Sequence, residues 1–416
     1  MLINRNNYLK DVDKSIQQVS ITVLIGARQV GKTSILKSYK TNTTIVHLDG
    51  QHPDTQNLFS DINSITEYLK ININETLSGL LVIDEFQMIN KISSTLKILI
   101  DNFAGLKVLC SGSSSLDIIQ HVEESLAGRV RMINAYSLSF AENILFKGKS
   151  LYAEFEKYND YTNTAVMSGE IKQVLNDQLL YGGMPRVCLT NKPEERIQIL
   201  DDIFKTYLLR DVKSYVRNTD SVGFNKLLSN LAIQTGNLVN INELSRTTGL
   251  TYNKCEEYIY LLEQMYIIKM VSPYEANAKK TIKKMKKVYF LDLGIRNVII
   301  QNFNPLDIRS DSGALFENFV FLEILKSIKS YYTVNFFRTR DGAEVDFIIN
   351  DMRNKISVEA KHKQLEKPVY FKALNNFNER EGISHSYVIN LQLNTKVKNI
   401  RYLPAYLMSK AFGTEQ

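Results

Sequence analysis

Apolar positions divide the chain into stretches of different period. Between residues 21 and 136, short apolar, β-branched runs alternate with longer segments of three- and four-residue spacing. Ile21–Ile25, Thr44–Asp49, Leu80–Glu85, Leu106–Cys110 and Met132–Tyr136 read as strands. Most are apolar throughout rather than alternating, the pattern of parallel strands covered on both faces. Helices are expected from Ser34, over Asp61–Asn74 and over Leu116–Leu126. From Phe140 to about Gln234 the period is helical, with Ile197, Leu200, Ile203, Phe204, Tyr207 and Leu208 on one face. Asn240–Tyr274 predicts a helix opened at Asn242, a turn at Thr248-Gly249-Leu250, a second helix capped by Thr251, and a strand over Tyr266–Val271. That order is the pattern of a winged helix. The last third predicts a helix over Leu315–Leu325 and strands over Val334–Arg338, Ala343–Ile349 and Ile356–Lys361.

Composition narrows the class. A chain of 416 residues suggests two or three domains. With 44% hydrophobic and 23% charged residues it has the balance of a globular protein. No stretch reaches ~18 uncharged apolar residues, and the polar N-terminus lacks a signal core, so no membrane association and a cytoplasmic location are expected. Three scattered cysteines imply no disulfide framework, and five histidines show no ligand spacing. The net charge of +7 mildly favours a polyanionic partner, but spread over this length it decides nothing.

The strongest chemical signal is Gly26-Ala27-Arg28-Gln29-Val30-Gly31-Lys32-Thr33, with Ser34 following in the helix. It satisfies G-x-x-x-x-G-K-[ST] between an apolar strand and a helix, the context that aims backbone N–H groups at phosphate. Gly26 and Gly31 permit the tight turn, Lys32 reaches the β- and γ-phosphates, and the Thr33 hydroxyl ligates Mg²⁺. The strand ending in Asp84-Glu85 supplies the second motif: Asp84 for the Mg²⁺ shell, Glu85 to polarise the attacking water. Ser113, in the hydroxyl cluster Ser111–Ser115, either senses the γ-phosphate or caps the next helix. Arg129 either projects toward a neighbour's γ-phosphate, which an oligomer would require, or is a solvated helix-end arginine.

"GARQVGKT", "LLVIDEFQ", "CSGSSS", "LAGRV" and "SLSFAE" resemble, in that order, the AAA-type ATPases of a prokaryotic group that carry a C-terminal nuclease-like domain of uncharacterised function. "YGGMPR", "YLLRDV", "KKVYFLDLG" and "EVDF" extend the resemblance over nearly the whole chain. It implies a parallel α/β sheet, ATP rather than GTP, and Mg²⁺. By the same resemblance Gly183 and Pro185, and less directly Arg186, approach the nucleotide; otherwise Pro185 only breaks a helix. Arg210 and Asp211 are candidates for an interface.

Strand alternation places Glu344 with Asp346 and Glu359 with Lys361. A turn centred on Met352-Arg353 sets Asp346 opposite Glu359 and Glu344 opposite Lys361. Opposed carboxylates destabilise a sheet unless a cation neutralises them. An Asp followed by Glu-x-Lys on the next strand resembles PD-(D/E)XK nucleases, in which the two acids bind Mg²⁺ or Mn²⁺ and the lysine orients water; Glu317 matches the extra acid of that family. An edge hairpin with solvated charges is the alternative. The expected second helix of the winged module offers Asn253 and Lys254 but also Glu256, Glu257 and Glu263, which repel phosphate. Protein packing or a hinge is therefore favoured over sequence reading there. The basic run Ala278–Lys287 either tracks a nucleic-acid backbone or is a solvated linker.

The expected fold is thus α/β: a P-loop core at 1–139, a helical lid at 140–236, a winged helix at 237–277 and an α/β PD-(D/E)XK-like domain at 278–416. The expected function is ATP hydrolysis coupled to a nucleic-acid-directed site, DNA before RNA. The alternative is an ATP-dependent switch that binds a protein partner, through the winged helix or the C-terminal domain, without cutting.

Overall fold

The computed structural model describes residues 5–113, 126, 128–158, 168–208, 220–274 and 285–412. It forms two compact units: the chain up to Tyr136 with Gln264–Tyr266, and Ser137–Glu263 with the chain from Ile267 onward. Ser114, Ser115, most of the helix expected at 116–126, Arg210, Asp211 and most of the basic run lie outside the described residues.

Among the described residues, the first unit carries five parallel strands: β1 (Ile21–Gly26), β2 (Ile45–Asp49), β3 (Gly79–Asp84), β4 (Leu106–Ser113) and β5 (Val130–Asn134), in the order β2-β3-β4-β1-β5. Their alternate residues fill two cores, as uninterrupted apolar runs require. Leu24, Leu80, Val82 and Leu109 pack with Val12, Ile35 and Leu36 on one face. Val23, Ile25, Leu81, Ile83, Val108 and Cys110 pack with Ile65, Leu69, Leu96 and Leu99 on the other. β5 lies two residues earlier than expected, because the Ile21 N–H already bonds the Arg129 carbonyl at 3.0 Å and fixes where pairing starts. Register decides where the strands end together. Gly26 pairs with Ser113 across β1/β4, and Ile83 with Cys110 across β3/β4, so the carboxyl ends of β1, β3 and β4 finish side by side.

The second unit begins with helices, including Phe140–Lys147, Gly169–Tyr181, Pro185–Leu189 and Pro193–Ile203. Helix Gly169–Tyr181 ends on Gly182 at φ 75°, where a Cβ would lie 2.1 Å from Asp292 Oδ1; at Gly183 it would lie 2.6 Å from the Leu138 carbonyl oxygen. The buried Asp292 carboxylate accepts N–H bonds from Gly183 (2.9 Å), Gly294 (2.9 Å) and Ile295 (3.3 Å). "YGGMPR" and "FLDLG" are therefore two halves of one structural lock. Asp292→Ala leaves these amides buried and unpaired, and is expected to cost about 2–4 kcal/mol of stability. Urea unfolding measures it; a loss under ~1 kcal/mol would mean that water replaces the carboxylate.

Helix Ile241–Thr248, Gly249 and helix Tyr252–Gln264 follow as expected, then β7 (Ile268–Val271). β7 pairs antiparallel with β8 (Lys286–Phe290), which also pairs with β6 (Leu238–Val239). The boundary expected at 277/278 is thus crossed by a sheet: β8 belongs with the strands before it, and the expected lid, winged module and C-terminal domain make one compact unit. Helix Ser312–Ser327 precedes a six-stranded mixed sheet of β9 (Thr333–Arg338), β10 (Glu344–Asn350), β11 (Lys355–Ala360), β12 (His385–Asn390), β13 (Thr395–Val397) and β14 (Ile400–Pro404), ordered β13-β14-β12-β11-β10-β9. Phe347 pairs with Val358 and Asn350 with Lys355, the register the turn predicts for Asp346 and Glu359. Glu344 does not meet Lys361. The ladder between β10 and β9 slips between Val345 and Ile348, and Glu344 pairs with Arg338, while the Lys361 N–H bonds Ile389 of β12. Among the described residues no helix is long and apolar enough to cross a membrane.

Candidate functional site

The loop from Gly26 to Gly31 joins β1 to helix Lys32–Ser38, which begins with Lys32, Thr33 and Ser34. Two left-handed residues shape it: Gln29 at φ 63° and Gly31 at φ 97°, where glycine carries no Cβ penalty. Ala27 and Val30 are buried, whereas Arg28 and Gln29 are exposed. Lys32 is only 4% exposed. Its ammonium donates to the carbonyls of Gly26 (2.8 Å) and Ala27 (2.9 Å). Burial pushes its pKa down to about 8, against the carboxylates of Glu85 and Asp84, which hold it up. Beneath the loop, buried Arg5 donates to the carbonyls of Val30 (3.0 Å) and Tyr136 (2.8 Å). Nothing in the motif announced Arg5.

Asp84 ends β3, and its carboxylate takes a hydrogen bond from Ser111 Oγ. Glu85 follows in the left-handed region, φ 48°, with its N–H on Ser111 Oγ at 3.2 Å. A non-glycine residue held there is uncommon and marks a position constrained for a reason beyond local propensity. The Gln87 amide nitrogen bridges Glu85 Oε2 and Ser113 Oγ (2.8 Å), while its own carbonyl oxygen is buried without a hydrogen-bond partner among the described residues. Gln87 thus ties the candidate base to the end of β4. Sequence reasoning passed over it, although it lies within "DEFQ". Arg129 pairs with Asp101 at 2.9 Å on the surface, an exposed pair that holds it only weakly. Gly183 and Pro185 lie in the second unit, Pro185 opening helix Pro185–Leu189 beside exposed Arg186.

A second cluster lies in the second unit. Asp346 and Glu359, each 7% exposed, stand on neighbouring strands β10 and β11. Asp346 Oδ2 accepts the Ala360 N–H at 2.7 Å. Burial, and then Glu317 and Glu359, push its carboxyl well above the usual range. Glu359 is also raised, chiefly by burial; one oxygen pairs with Lys361 Nζ at 2.6 Å, and the other is buried without a hydrogen-bond partner among the described residues. Burial alone would lower the pKa of Lys361, but Asp346 and Glu359 outweigh it and raise it. Carboxylate oxygens of Glu317, Glu344 and Asp346 come within 4.8 Å of one another. Two further residues enter from β8: Lys287 Nζ pairs with Glu317 at 3.0 Å and with Glu344, and the Tyr289 hydroxyl donates to Glu317 at 2.6 Å. Neither these two nor Glu344 as a member of the acid cluster was expected. Lys287 and Tyr289 belong to a strand separated from the hairpin by a whole helix, so no local spacing signals them.

Residues 18–144 match the AAA domain family, residues 172–306 a domain of unknown function (DUF8612) and residues 312–408 another (DUF4143). An uncharacterized protein of Mycobacterium tuberculosis is 25% identical over 84% of this chain and 72% of its own length. An uncharacterized protein of Haemophilus influenzae is 23% identical over 92% of this chain and 90% of its own. Among solved structures, the Walker-type ATPase of Pyrococcus abyssi is 14% identical at a TM-score of 0.47, covering 71% of this chain and 95% of that one. The first unit has the α/β fold of a P-loop ATPase, with the parallel sheet, the phosphate loop and the acidic strand end that ATP hydrolysis uses.

Proposed function

We propose that this protein hydrolyses Mg·ATP in its first unit and that the nucleotide state governs a nuclease-like, nucleic-acid-directed site in its C-terminal sheet. The neighbouring carboxyl ends of β1, β3 and β4, where Lys32, Asp84, Glu85 and Ser113 gather, carry the reading. Gly26, Ala27, Arg28, Gln29, Val30 and Gly31 wrap the phosphates, with the Lys32 ammonium leaving its loop carbonyls for phosphate oxygens. The donor set fits a hard cation: the Thr33 hydroxyl at the helix start and the Asp84 carboxylate, with Ser34 beside them. Mg²⁺ there would neutralise phosphate charge. Glu85, aimed by Gln87 and Ser113, takes the proton of the attacking water. Arg129 serves a neighbouring subunit's site in an oligomer, and Gly183-Met184-Pro185 reports nucleotide state to the helical segment. The helix–turn–helix with β6, β7 and β8 is a winged helix used for packing or for a protein partner.

In the C-terminal sheet, Asp346, Glu359 and Glu317 would hold Mg²⁺, and Lys361 would orient water. The unpartnered Glu359 oxygen and the raised Asp346 carboxyl support a cation there. The test is incubation of the purified chain with DNA or RNA and Mg²⁺ or Mn²⁺, with and without ATP. Cleavage is expected, DNA before RNA, and should fall at least about 10²-fold in Asp346→Ala and Lys361→Ala. Undiminished cleavage in both variants would remove the assignment. A second reading, an ATP-dependent interaction switch that does not cut, is favoured by one observation: Lys287 already pairs with two of the clustered carboxylates.

A further inference from the structure

We propose that the Lys287 ammonium is a built-in counter-cation of the acid cluster, and that a divalent ion binds there only when it displaces this lysine. The inference rests on reading the C-terminal sheet as a carboxylate cation site. It goes beyond that reading by naming what competes for the site. Glu317, Glu344 and Asp346 gather carboxylate oxygens within 4.8 Å, the spacing of ligands around one cation. Lys287 Nζ pairs with two of the three, and its side chain is 2% exposed. A divalent ion on those oxygens would sit beside the ammonium in a dry site, where like charges repel strongly. The two cations therefore exclude each other.

Charge counting leads the same way. Lys287 serves Glu317 and Glu344, Arg338 also pairs with Glu344 at 2.9 Å, and Lys361 serves Glu359 from the rim, so three cations face the four carboxylates of Glu317, Glu344, Asp346 and Glu359. Asp346 accepts one backbone N–H and only shares the charges of Lys361 and Lys287 with the other acids, and the second oxygen of Glu359 has no hydrogen-bond partner among the described residues. Glu359 faces Glu317 and Glu344 closely enough that both raise its pKa. The site is thus short of positive charge with the lysine in place, and more attractive to a metal without it.

The origin of Lys287 turns this competition into a switch. Its backbone lies in the three-stranded sheet, opposite Leu238 of β6 on one side and Val271 of β7 on the other. Those strands frame the two helices Ile241–Thr248 and Tyr252–Gln264. A shift of that sheet, as when a partner binds the helices, would withdraw the ammonium and leave the carboxylates to a metal. Burying a lysine among carboxylates stabilises little unless every charge is paired, so this arrangement suits regulation better than stability.

The experiment titrates Mn²⁺ into the nucleotide-free full chain by calorimetry or electron spin resonance. It compares the natural protein with Lys287→Met, Lys287→Arg and Lys287→Met combined with Asp346→Asn. Lys287→Met should bind Mn²⁺ about tenfold tighter or better, Lys287→Arg should not, and Asp346→Asn should abolish the gain. Unchanged or weaker binding by Lys287→Met would overturn the proposal. If that variant folds poorly, its thermal midpoint is followed against Mn²⁺. The proposal requires a larger rise than the natural protein shows, and an equal rise overturns it. The cleavage reading fails separately: tighter Mn²⁺ binding with no cut nucleic acid sinks cleavage alone, and cleavage without tighter binding sinks this proposal alone.

Discussion

Lys32→Met should remove nucleotide binding, weakening ATP affinity at least about 10²-fold, because a buried charge-assisted contact to phosphate is lost together with its electrostatic pull. The same lysine gives a pH dependence whose sign is fixed. Its pKa in the nucleotide-free protein is about 8, held down by burial. Below pH 8 the ammonium is present and binds phosphate directly. Above pH 8 a proton must first be taken up, so affinity for ATP should fall as pH rises, by up to about tenfold per unit, until the pKa of the bound state is reached. Lys32→Met should be weak at every pH and lack this slope. Titration of a fluorescent ATP analogue from pH 7 to 9.5 measures both. A natural protein whose affinity stays flat across that range would show that Lys32 does not meet phosphate. Folding stability moves the other way. The unfolded lysine, with its ordinary value of 10.5, holds its proton longer than the folded one, so this group's contribution rises between pH 8 and 10.5.

Glu85→Gln should separate binding from turnover. The glutamate side chain is tethered by the Gln87 amide, and its backbone is fixed by Ser111. The substitution keeps size and position but removes the basic oxygen. Turnover is expected to fall about 10²–10⁴-fold, roughly 3–5 kcal/mol of transition-state stabilisation, with ATP affinity within a few-fold of normal. Steady-state phosphate release gives the first quantity and equilibrium binding the second. Hydrolysis at the natural rate would remove Glu85 as the base, leaving Asp84 to account for water activation.

Different parts of the molecule were legible to different degrees, and for identifiable reasons. The phosphate loop could be read because its chemistry demands fixed spacing within eight residues, and because the flanking strand and helix carry unmistakable periods. The register of Phe347 with Val358, one residue on from Asp346 and Glu359, could be read because a short turn sets register and the side-chain period is two. Glu344 does not meet Lys361 because the β10/β11 ladder stops at Phe347 and Val358, and Lys361 lies past the end of β11 with its N–H on Ile389, an ending that apolar alternation does not mark. Lys287 was read only as the end of a basic run. Its pairing with Glu317 and Glu344 depends on tertiary approach of β8, which no local pattern encodes. Asp292 was invisible for the same reason. Its partner Gly183 sits 109 residues away, so no local spacing signals the bond between them. The basic stretch before β8 looks like a linker in sequence, yet β8 returns to pair with β6 and β7, strands far back along the chain.

One Mg·ATP is expected to seat at the neighbouring carboxyl ends of β1, β3 and β4. Equilibrium titration of Mg·ATP into Glu85→Gln tests it most directly, since that variant should hold the triphosphate unhydrolysed. Saturable binding of one ATP per chain is expected, dependent on Mg²⁺ and lost when Lys32→Met is added. Absence of saturable binding, or binding that survives Lys32→Met unchanged, would contradict it.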